Sequence, residues 1–431
     1  MPAEPTPSPG QIASIPQEVT GQAPRVVVGG VSWRDTFAAL KHRNFRLFFV
    51  GQLVSLTGTW MQSTAQGWLV YQLTGSKVLL GTVAAAGSLP LLLSVWGGSV
   101  ADRHPKRTVV CFTQTSMMLL AFVFAALIWS GHIRPWHILV LAALGGVAMA
   151  FDMPARQSFM VEMTSRQELM NAVSLNSSIV NGARVVGPAV AGLVMAHLGT
   201  AVCFLLNGLS FLAVIAGLLM MRLPKFVPAA EPASTGRHML EGLAYVANHR
   251  RVRSLLLLFA VVGVFGWSYS VLLPAYATDI LHVGERGYGT LLSANGLGAL
   301  VGALTVATYG SRVRPRRLIL GGLWLFSAML LLLAVVRWYP LALACLAVAG
   351  WGMLLYFSTT NTLIQTSVSD DMRGRVMGIW ALVFGGMMPV GGLESGLLSQ
   401  AVGVPWTVAA GALVCAAAGL VTWLVVRRNA A

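Results

Sequence analysis

Long apolar runs alternate with short polar breaks along almost the whole chain. Most runs reach about 20 residues, the length that an α-helix needs to cross a bilayer core about 30 Å thick. They are continuous, unlike the ten-residue alternations of a membrane β-barrel, so the pattern predicts twelve spanning helices. The spans are predicted near 47–72, 77–101, 108–130, 136–160, 169–196, 200–222, 254–281, 287–310, 317–337, 340–365, 375–400 and 405–426.

The polar breaks divide the chain into four parts. Residues 1–44 are rich in Pro, Gly, Ser and Thr and lack an apolar signal core, which predicts a disordered tail. Residues 45–222 and 254–431 form two six-helix halves, the second with a short C-terminal tail. The linker 223–253 ends in HMLEGLAYVANHR, whose amphipathic spacing fits a helix on the membrane surface or a plain linker helix.

Composition also indicates a membrane protein and argues against an enzyme or a metal-binding protein. Hydrophobic residues make up 56% of the chain and charged residues 10%, against about 25% charged residues in soluble domains. The four cysteines show no metal or redox spacing, and no nucleotide-binding glycine loop or nucleophile–base set appears. We therefore predict an all-α polytopic membrane protein that is not an enzyme, with no metal and no cofactor.

The net charge of +15 indicates orientation. With both termini inside, all but five of the 29 Lys and Arg residues fall on the inner side. Of these five, four lie on the outer side and Arg184 lies within a span. The positive-inside rule then places both termini in the cytoplasm of a multi-pass membrane protein. This explanation of the charge is better than nucleic-acid binding, so no nucleic-acid partner is expected.

Three pairs of stretches repeat in the same order in the two halves. ADRHPKR at 101–107 corresponds to SRVRPRR at 311–317, and MTSRQELM at 163–170 to QTSVSDDM at 365–372. In the third pair, GPAVAG from Gly187 corresponds to MPVGG from Met388, which puts Pro188 and Pro389 at nearly the same depth. Gly187, Pro188 and Pro389 are candidate hinge or packing residues. The order predicts a parallel repeat of six plus six spans.

These motifs carry a family resemblance. Gly98-x-x-x-Asp102-Arg103-x-Pro105-Lys106-Arg107 resembles the loop signature of the major facilitator superfamily, with Pro in place of the usual Gly. The stretch from Ala183 to Gly192 resembles the fifth-span motif of that superfamily's antiporters. The run from FDMPARQ to GPAVAG is similar to the branch of enterobactin exporters and macrolide efflux pumps. The resemblance implies two six-helix bundles, a monomer, and secondary transport.

The resemblance also implies a gate on the inner side. In the family's arrangement, the inner end of the second span faces the start of the eleventh, where Arg373 and Arg375 lie. A carboxylate held at a helix N-terminus is stabilised by about 0.3 to 2 kcal/mol. We predict Asp102 as the gating acid, with Arg103 and Arg107 in support. The alternative is a solvated loop that only sets topology.

Ionisable residues within the spans are few. Asp152, Arg184 and Glu394 are predicted to lie within the fourth, fifth and eleventh spans. A charge near the bilayer centre costs about 2.5 to 3.5 kcal/mol, so each should face a cavity or a partner. Asp152 can pair with Arg156, four residues on, or with Arg184. The functional hypothesis is that Asp152 or Glu394 takes up a proton; the alternatives are a permanent ion pair and an interfacial residue.

Polar residues and tryptophans suggest the wall of a substrate cavity. In the first span, Ser55, Thr59, Gln62 and Gln66 share one helical face. The superfamily lines its cavity with the first, fourth, seventh and tenth spans. The candidate cavity residues are Gln62, Gln66, Arg156, Asn181, Trp267 and Asn361. Hydrogen bonding between packed spans, or packing of the tryptophan, would explain the same residues.

The sequence therefore favours a proton-coupled antiporter that exports amphipathic small molecules of drug or siderophore type across a bacterial inner membrane. The proton gradient is the expected energy source. An uptake symporter or facilitator of a small organic solute is the alternative. A membrane enzyme or receptor is disfavoured.

Overall fold

The computed structural model describes residues 37–165, 168–223 and 235–428, and every regular element in those ranges is helical. The predicted tail up to residue 36, residues 224–234 of the predicted linker and the last three residues lie outside the described residues. A short 3-10 helix at Ala38–Lys41 precedes the first span.

Twelve long helices follow in the order that the apolar runs predict. The first six are Arg43–Thr74, Lys77–Arg103, Lys106–Trp129, Pro135–Met163, Leu169–Leu198 and Thr200–Met220. The last six are Arg250–Ile280, Glu285–Tyr309, Pro315–Val335, Tyr339–Thr366, Asp370–Val402 and Val404–Arg428. Each predicted end falls within five residues of an observed end.

Eleven of these helices, within the described ranges, are both long and apolar enough to cross a membrane. The remaining one, Arg43–Thr74, has 32 residues and ample length, but its Ser, Thr and Gln residues make it less apolar. It packs along the fifth and sixth spans as an integral part of the bundle. We therefore count it as the first of twelve spans.

Two glycines make the tightest turns of the repeat possible. Gly199 joins the fifth and sixth spans with φ of 85°, and Gly403 joins the eleventh and twelfth with φ of 87°. These positive values favour glycine, because a side chain would clash with the backbone. The two glycines thus make one-residue turns at equivalent places in the two halves.

Two spans depart from regular α-helix. The second span contains a 3-10 segment, Leu89–Leu93, around Pro90. The seventh contains two π-helical segments, Val262–Gly266 and Tyr276–Ile280, on either side of Pro274. Proline removes a backbone donor, and π segments frequently mark functional sites. Both irregular spans lie where the halves meet.

For orientation, the basic end is the end of the bundle formed by residues 103–106, 310–314 and the linker, and the opposite end contains residues 74–77 and 281–285. A large apolar cluster joins both halves through residues such as Trp68 and Tyr288. A smaller cluster, around Phe45 and Phe159, belongs to the first half alone and lies at its basic end. The halves therefore pack together toward the opposite end.

The linker forms a helix, Thr235–Asn248, that packs on the basic end of the eleventh span. An added Cβ on Gly242 would lie 3.2 Å from the Arg375 carbonyl oxygen, and Tyr245 packs on the main apolar cluster. The amphipathic segment predicted from the sequence therefore packs partly on the protein, while its Leu240 and Leu243 side chains stay exposed.

Candidate functional site

Polar contacts join the two halves at the opposite end. The Tyr71 hydroxyl donates to Asp279 Oδ2 at 2.5 Å, and Lys77 Nζ lies 3.8 Å from the same oxygen. Just inside this contact, the rings of Trp68 and Tyr288 stack with centroids 5.5 Å apart. The second π segment of the seventh span carries Asp279. Together these residues form a layer that closes the opposite end, here called the closing layer.

Small residues let the halves approach closely next to this layer. A Cβ added to Gly81 would lie 2.1 Å from the Gly392 carbonyl oxygen, in the seam between the second and eleventh spans. In the seam between the fifth and eighth spans, a Cβ on Gly289 would lie 2.4 Å from the Pro188 carbonyl oxygen. In lipid, close packing of small residues is a main source of helix association. Both seams run from the opposite end to mid-membrane.

A cavity of about 340 Å³ lies between the halves on the basic-end side of the closing layer. Residues of the first, second, fifth, seventh, eighth and eleventh spans line it. The lining includes Trp60, Gln66, Arg184, Trp267, Tyr288 and Asn295. The volume is within the range of about 300 to 1,000 Å³ that is usual for small-molecule sites. This cavity is the candidate substrate site.

Arg184 is the charged residue in this lining. Its Nη2 donates to Asn295 Oδ1 at 3.3 Å, across the seam between the halves, and its guanidinium lies 5.8 Å from the Trp60 ring centroid. Asn295 is itself fixed, because its amide donates to the Tyr269 hydroxyl at 3.0 Å and to the Leu346 carbonyl oxygen at 3.2 Å. The contact therefore links the fifth span to the eighth and seventh.

Asp152 belongs to a different site, inside the first half. Its carboxylate is fully buried and lies 2.6 Å from Arg156 Nε. Thr113 and Gln114 donate to it at 2.8 and 2.9 Å, and Arg156 donates to Gln52 at 2.8 Å. Of the two partners considered from the sequence, Arg156 is the one observed and Arg184 is not. Neither Asp152 nor Arg156 lines the cavity, so the placement of Arg156 there is corrected.

Glu394 is also absent from the cavity lining, although Met388 of the same span contributes to it. Its Oε2 is buried and has no hydrogen-bond partner among the described residues. The expectation that proton and substrate meet at this residue inside one cavity is therefore not supported by its position.

Three amides predicted for the cavity have other partners. Gln62 accepts from Asn207 of the sixth span at 2.7 Å, Asn361 accepts from Gln365 at 2.6 Å, and Asn181 donates to the Ser177 carbonyl oxygen at 2.9 Å. Gln62 does not line the cavity, because Asn207 of the sixth span binds its amide. Gln66, one turn further along the same face, lines the cavity with Trp60, Ser63 and, from the seventh span, Trp267.

The predicted packing residues lie at span crossings. A Cβ on Gly187 would lie 2.5 Å from Trp60 Cβ, so glycine allows the first and fifth spans to touch. Pro188 lines the cavity, and Pro389 is buried in the eleventh span. The two prolines occupy equivalent places in the repeat and both border the interface between the halves.

The predicted inner latch is not formed in this conformation. Asp102 is exposed, and its segment Ser94–Arg103 packs mainly on the fourth span. Arg373 Nη2 lies 2.5 Å from Asp370, and Arg375 Nη1 lies 2.8 Å from Glu241 of the linker helix. The latch requires the basic ends to meet, whereas the observed contacts hold the halves together at the opposite end.

One arginine after each repeated loop binds the last span of its own half. Arg103 is exposed, whereas Arg107 donates to the Leu219 carbonyl oxygen at 3.2 Å, at the end of the sixth span. In the second half, Arg316 donates to the Trp423 carbonyl oxygen at 3.1 Å, at the end of the twelfth span. Cations near a helix C-terminus complement its partial negative charge. Arg107 and Arg316 thus tie equivalent spans of each half together.

Sequence reasoning missed the closing layer and Asn295. Asp279 and Glu285 are the acids near the opposite end within the described ranges, and Asn295 interrupts an apolar span. Both features can be seen in the sequence. The site was missed because Asp279 and Asn295 bind residues from the other half of the chain, Tyr71 and Arg184. No cluster of three or more potential metal ligands occurs among the residues that the structure describes.

Comparison with known proteins identifies the family. The family model described as "transmembrane secretion effector" matches residues 34–430. The multidrug efflux pump Tap of Mycobacterium tuberculosis is 31% identical over 87% of this chain and 91% of its own length. The staphyloferrin A transporter of Staphylococcus aureus is 25% identical over 83% of this chain and 90% of its own. The enterobactin exporter EntS of Escherichia coli is 27% identical over 81% and 84%.

Solved structures agree on the fold. A bacterial homolog of the human lysosomal transporter Spinster, in an inward-facing and unoccupied conformation, superposes with a TM-score of 0.73. It is 12% identical in sequence, and the match covers 92% of this chain and 98% of that one. The resemblance inferred from the loop and fifth-span motifs is thereby confirmed: the chain belongs to the transmembrane secretion effector family, within the major facilitator superfamily of transporters.

Proposed function

We propose that this protein is a proton-coupled antiporter that exports amphipathic small molecules from the cytoplasm across a bacterial inner membrane. The observation that carries the proposal is the position of the cavity, which lies on the basic-end side of a closing layer joining two similar halves. Rocking of the halves about this cavity would open one end as it closes the other, which is alternating access.

The proposed direction is supported by the orientation of the bundle together with the relatives. Under the positive-inside rule, the basic end and both termini are cytoplasmic. The cavity then faces the cytoplasm in this conformation, which is the state in which an exporter takes up its solute. Relatives named as an efflux pump and as an exporter support this direction.

Coupling requires a carboxylate that exchanges protons. Asp152 and Glu394 are the acids of the described chain that lie away from the ends of the spans. Asp152 already interacts with three side chains, whereas no described donor binds the buried Oε2 of Glu394. Glu394 is therefore the stronger candidate. Because it lies outside the cavity lining, its proton would act on the tilt of the eleventh span and not by direct competition with the solute.

Purified protein in liposomes would test this function. We expect an imposed pH gradient to drive solute movement against the direction of proton flow, and Glu394→Gln to abolish the dependence on the gradient. Glu285→Gln, at the opposite end, is the matched control and should keep coupling. Flux that ignores the gradient in the parent protein would reject antiport. Accumulation by intact cells, with none in everted vesicles, would favour the uptake alternative.

A further inference from the structure

We infer that the central cavity selects anionic amphipathic solutes, and that Arg184 binds their acidic group. This inference rests on the proposed function and specifies its substrate class. It begins from the charge of the cavity wall, where a guanidinium is present and, in the described part of the chain, no carboxylate faces it.

The distribution of acidic residues supports this reading. Those of the described ranges lie at the basic end or the opposite end, except Asp152 and Glu394. Asp152 is fully buried against Arg156 in the first half, and Glu394 does not line the cavity. Arg184 is therefore not neutralised by an acid across the cavity. A cationic solute would meet a like charge there, while an anion would supply the missing counter-charge.

Arg184 is also positioned to bind an anion. A guanidinium has five N–H donors, and one hydrogen bond, to Asn295, is found among the described residues. That bond and the Trp60 ring hold the side chain in place, since Asn295 is itself fixed by Tyr269 and Leu346. A planar guanidinium with free donors can bind a carboxylate or phosphate through two parallel hydrogen bonds.

The rest of the wall suits the apolar part of such a solute. Trp267 and the stacked Tyr288 present aromatic surface, and Val70, Leu80 and Val83 add aliphatic surface. Trp60 is already covered by Arg184, so its ring offers less to a cationic group from the solute. The cavity therefore combines one cationic anchor with an apolar surround, as a site for an amphipathic anion requires.

Three probes with one naphthyl ring would test the charge preference: a naphthyl carboxylate, its neutral amide and a naphthylmethyl ammonium. Binding to the purified full-length protein can be followed by tryptophan fluorescence. We expect the carboxylate to bind about tenfold or more tighter than the amide, with the ammonium weakest. Arg184→Gln should weaken carboxylate binding about 10- to 100-fold and leave the amide almost unchanged.

Two control variants keep the result interpretable. Arg286→Gln removes an exposed arginine outside the cavity and should change nothing, while Arg184→Lys should retain part of the preference. Thermal unfolding shows whether each variant folds. Equal binding of the three probes, or tighter binding of the ammonium, would overturn the inference even if gradient-driven export is observed. Absence of any export would instead reject the proposed function.

Discussion

The Tyr71 hydroxyl and the Asp279 carboxylate are 2.5 Å apart and join the first span to the seventh, one from each half of the molecule. Lys77 adds a second contact from the start of the second span. Both partners of Asp279 come from the first half, so opening of the opposite end must break both contacts. The closing layer is thus a latch on the side for which the sequence had suggested none.

Removal of this latch should favour the conformation that is open at the opposite end. A hydrogen bond to a charged group contributes about 1.5 to 3 kcal/mol, so Asp279→Asn should shift the equilibrium by about tenfold or more. Spin labels at Ser130 and Trp338, exposed at the opposite end of each half, would report the change as a longer distance. Glu285→Gln is the control. An unchanged distance distribution would show that Asp279 does not hold this end closed.

A larger side chain in the glycine seams should also favour the conformation that is open at the opposite end, because it would clash when the seam is closed. A Cβ on Gly81 would lie 2.1 Å from the Gly392 carbonyl oxygen, so Gly81→Val cannot be accommodated while the seam is closed. We expect the Ser130–Trp338 distance to increase and transport to fall sharply. Gly145→Val is the control, because an added Cβ there meets nothing within 4 Å. A closed, active Gly81→Val protein would contradict this account of the seam.

Asp152 should matter first for stability. Removal of one partner from a buried ion pair commonly costs about 3 to 5 kcal/mol, since the other charge stays buried and unpaired. Asp152→Asn should therefore lower the thermal unfolding temperature in detergent markedly. The double variant Asp152→Asn, Arg156→Gln should recover part of the loss. If Asp152→Asn unfolds at the parent temperature but loses coupling, Asp152 would replace Glu394 as the coupling residue.

Arg375 should change partner during the transport cycle. It pairs with Glu241 here, and the resemblance implies that it faces Asp102 when the basic ends meet. Partly exposed pairs contribute up to about 1 kcal/mol, so each change should shift the equilibrium by up to about fivefold. Glu241→Gln should favour closure of the basic end and Asp102→Asn should oppose it. Spin labels at Ser99 and Gly378 would measure both shifts.

Asp371→Asn is the matched control for Glu241→Gln and Asp102→Asn, because Asp371 is exposed at the start of the eleventh span, which also carries Arg375. It should leave the Ser99–Gly378 distance as in the parent. Shifts of the same sign in Glu241→Gln and Asp102→Asn would reject an exchange of partners. Both variants should keep the thermal stability of the parent, since neither residue is buried.

Much of the fold was predictable because a membrane imposes strong local rules. Twelve helices and the one-residue turns at Gly199 and Gly403 follow from run length and breakers. The repeated loops correctly pointed to equivalent places in two halves. Arg107 and Arg316 show the limit, since their partners, the carbonyl oxygens of Leu219 and Trp423, lie more than 100 residues away.

The chain's own pattern determined the number, order and class of its helices, because apolar length and backbone satisfaction in lipid depend on neighbouring residues alone. Only the tertiary structure decided which residues of each helix meet the cavity. Gln62 and Gln66 are four residues apart and equally polar, yet the sixth span covers one and the cavity receives the other. Pairings such as Arg184 with Asn295 and Tyr71 with Asp279 depend on how two halves dock, and helix periodicity contains no information about that docking.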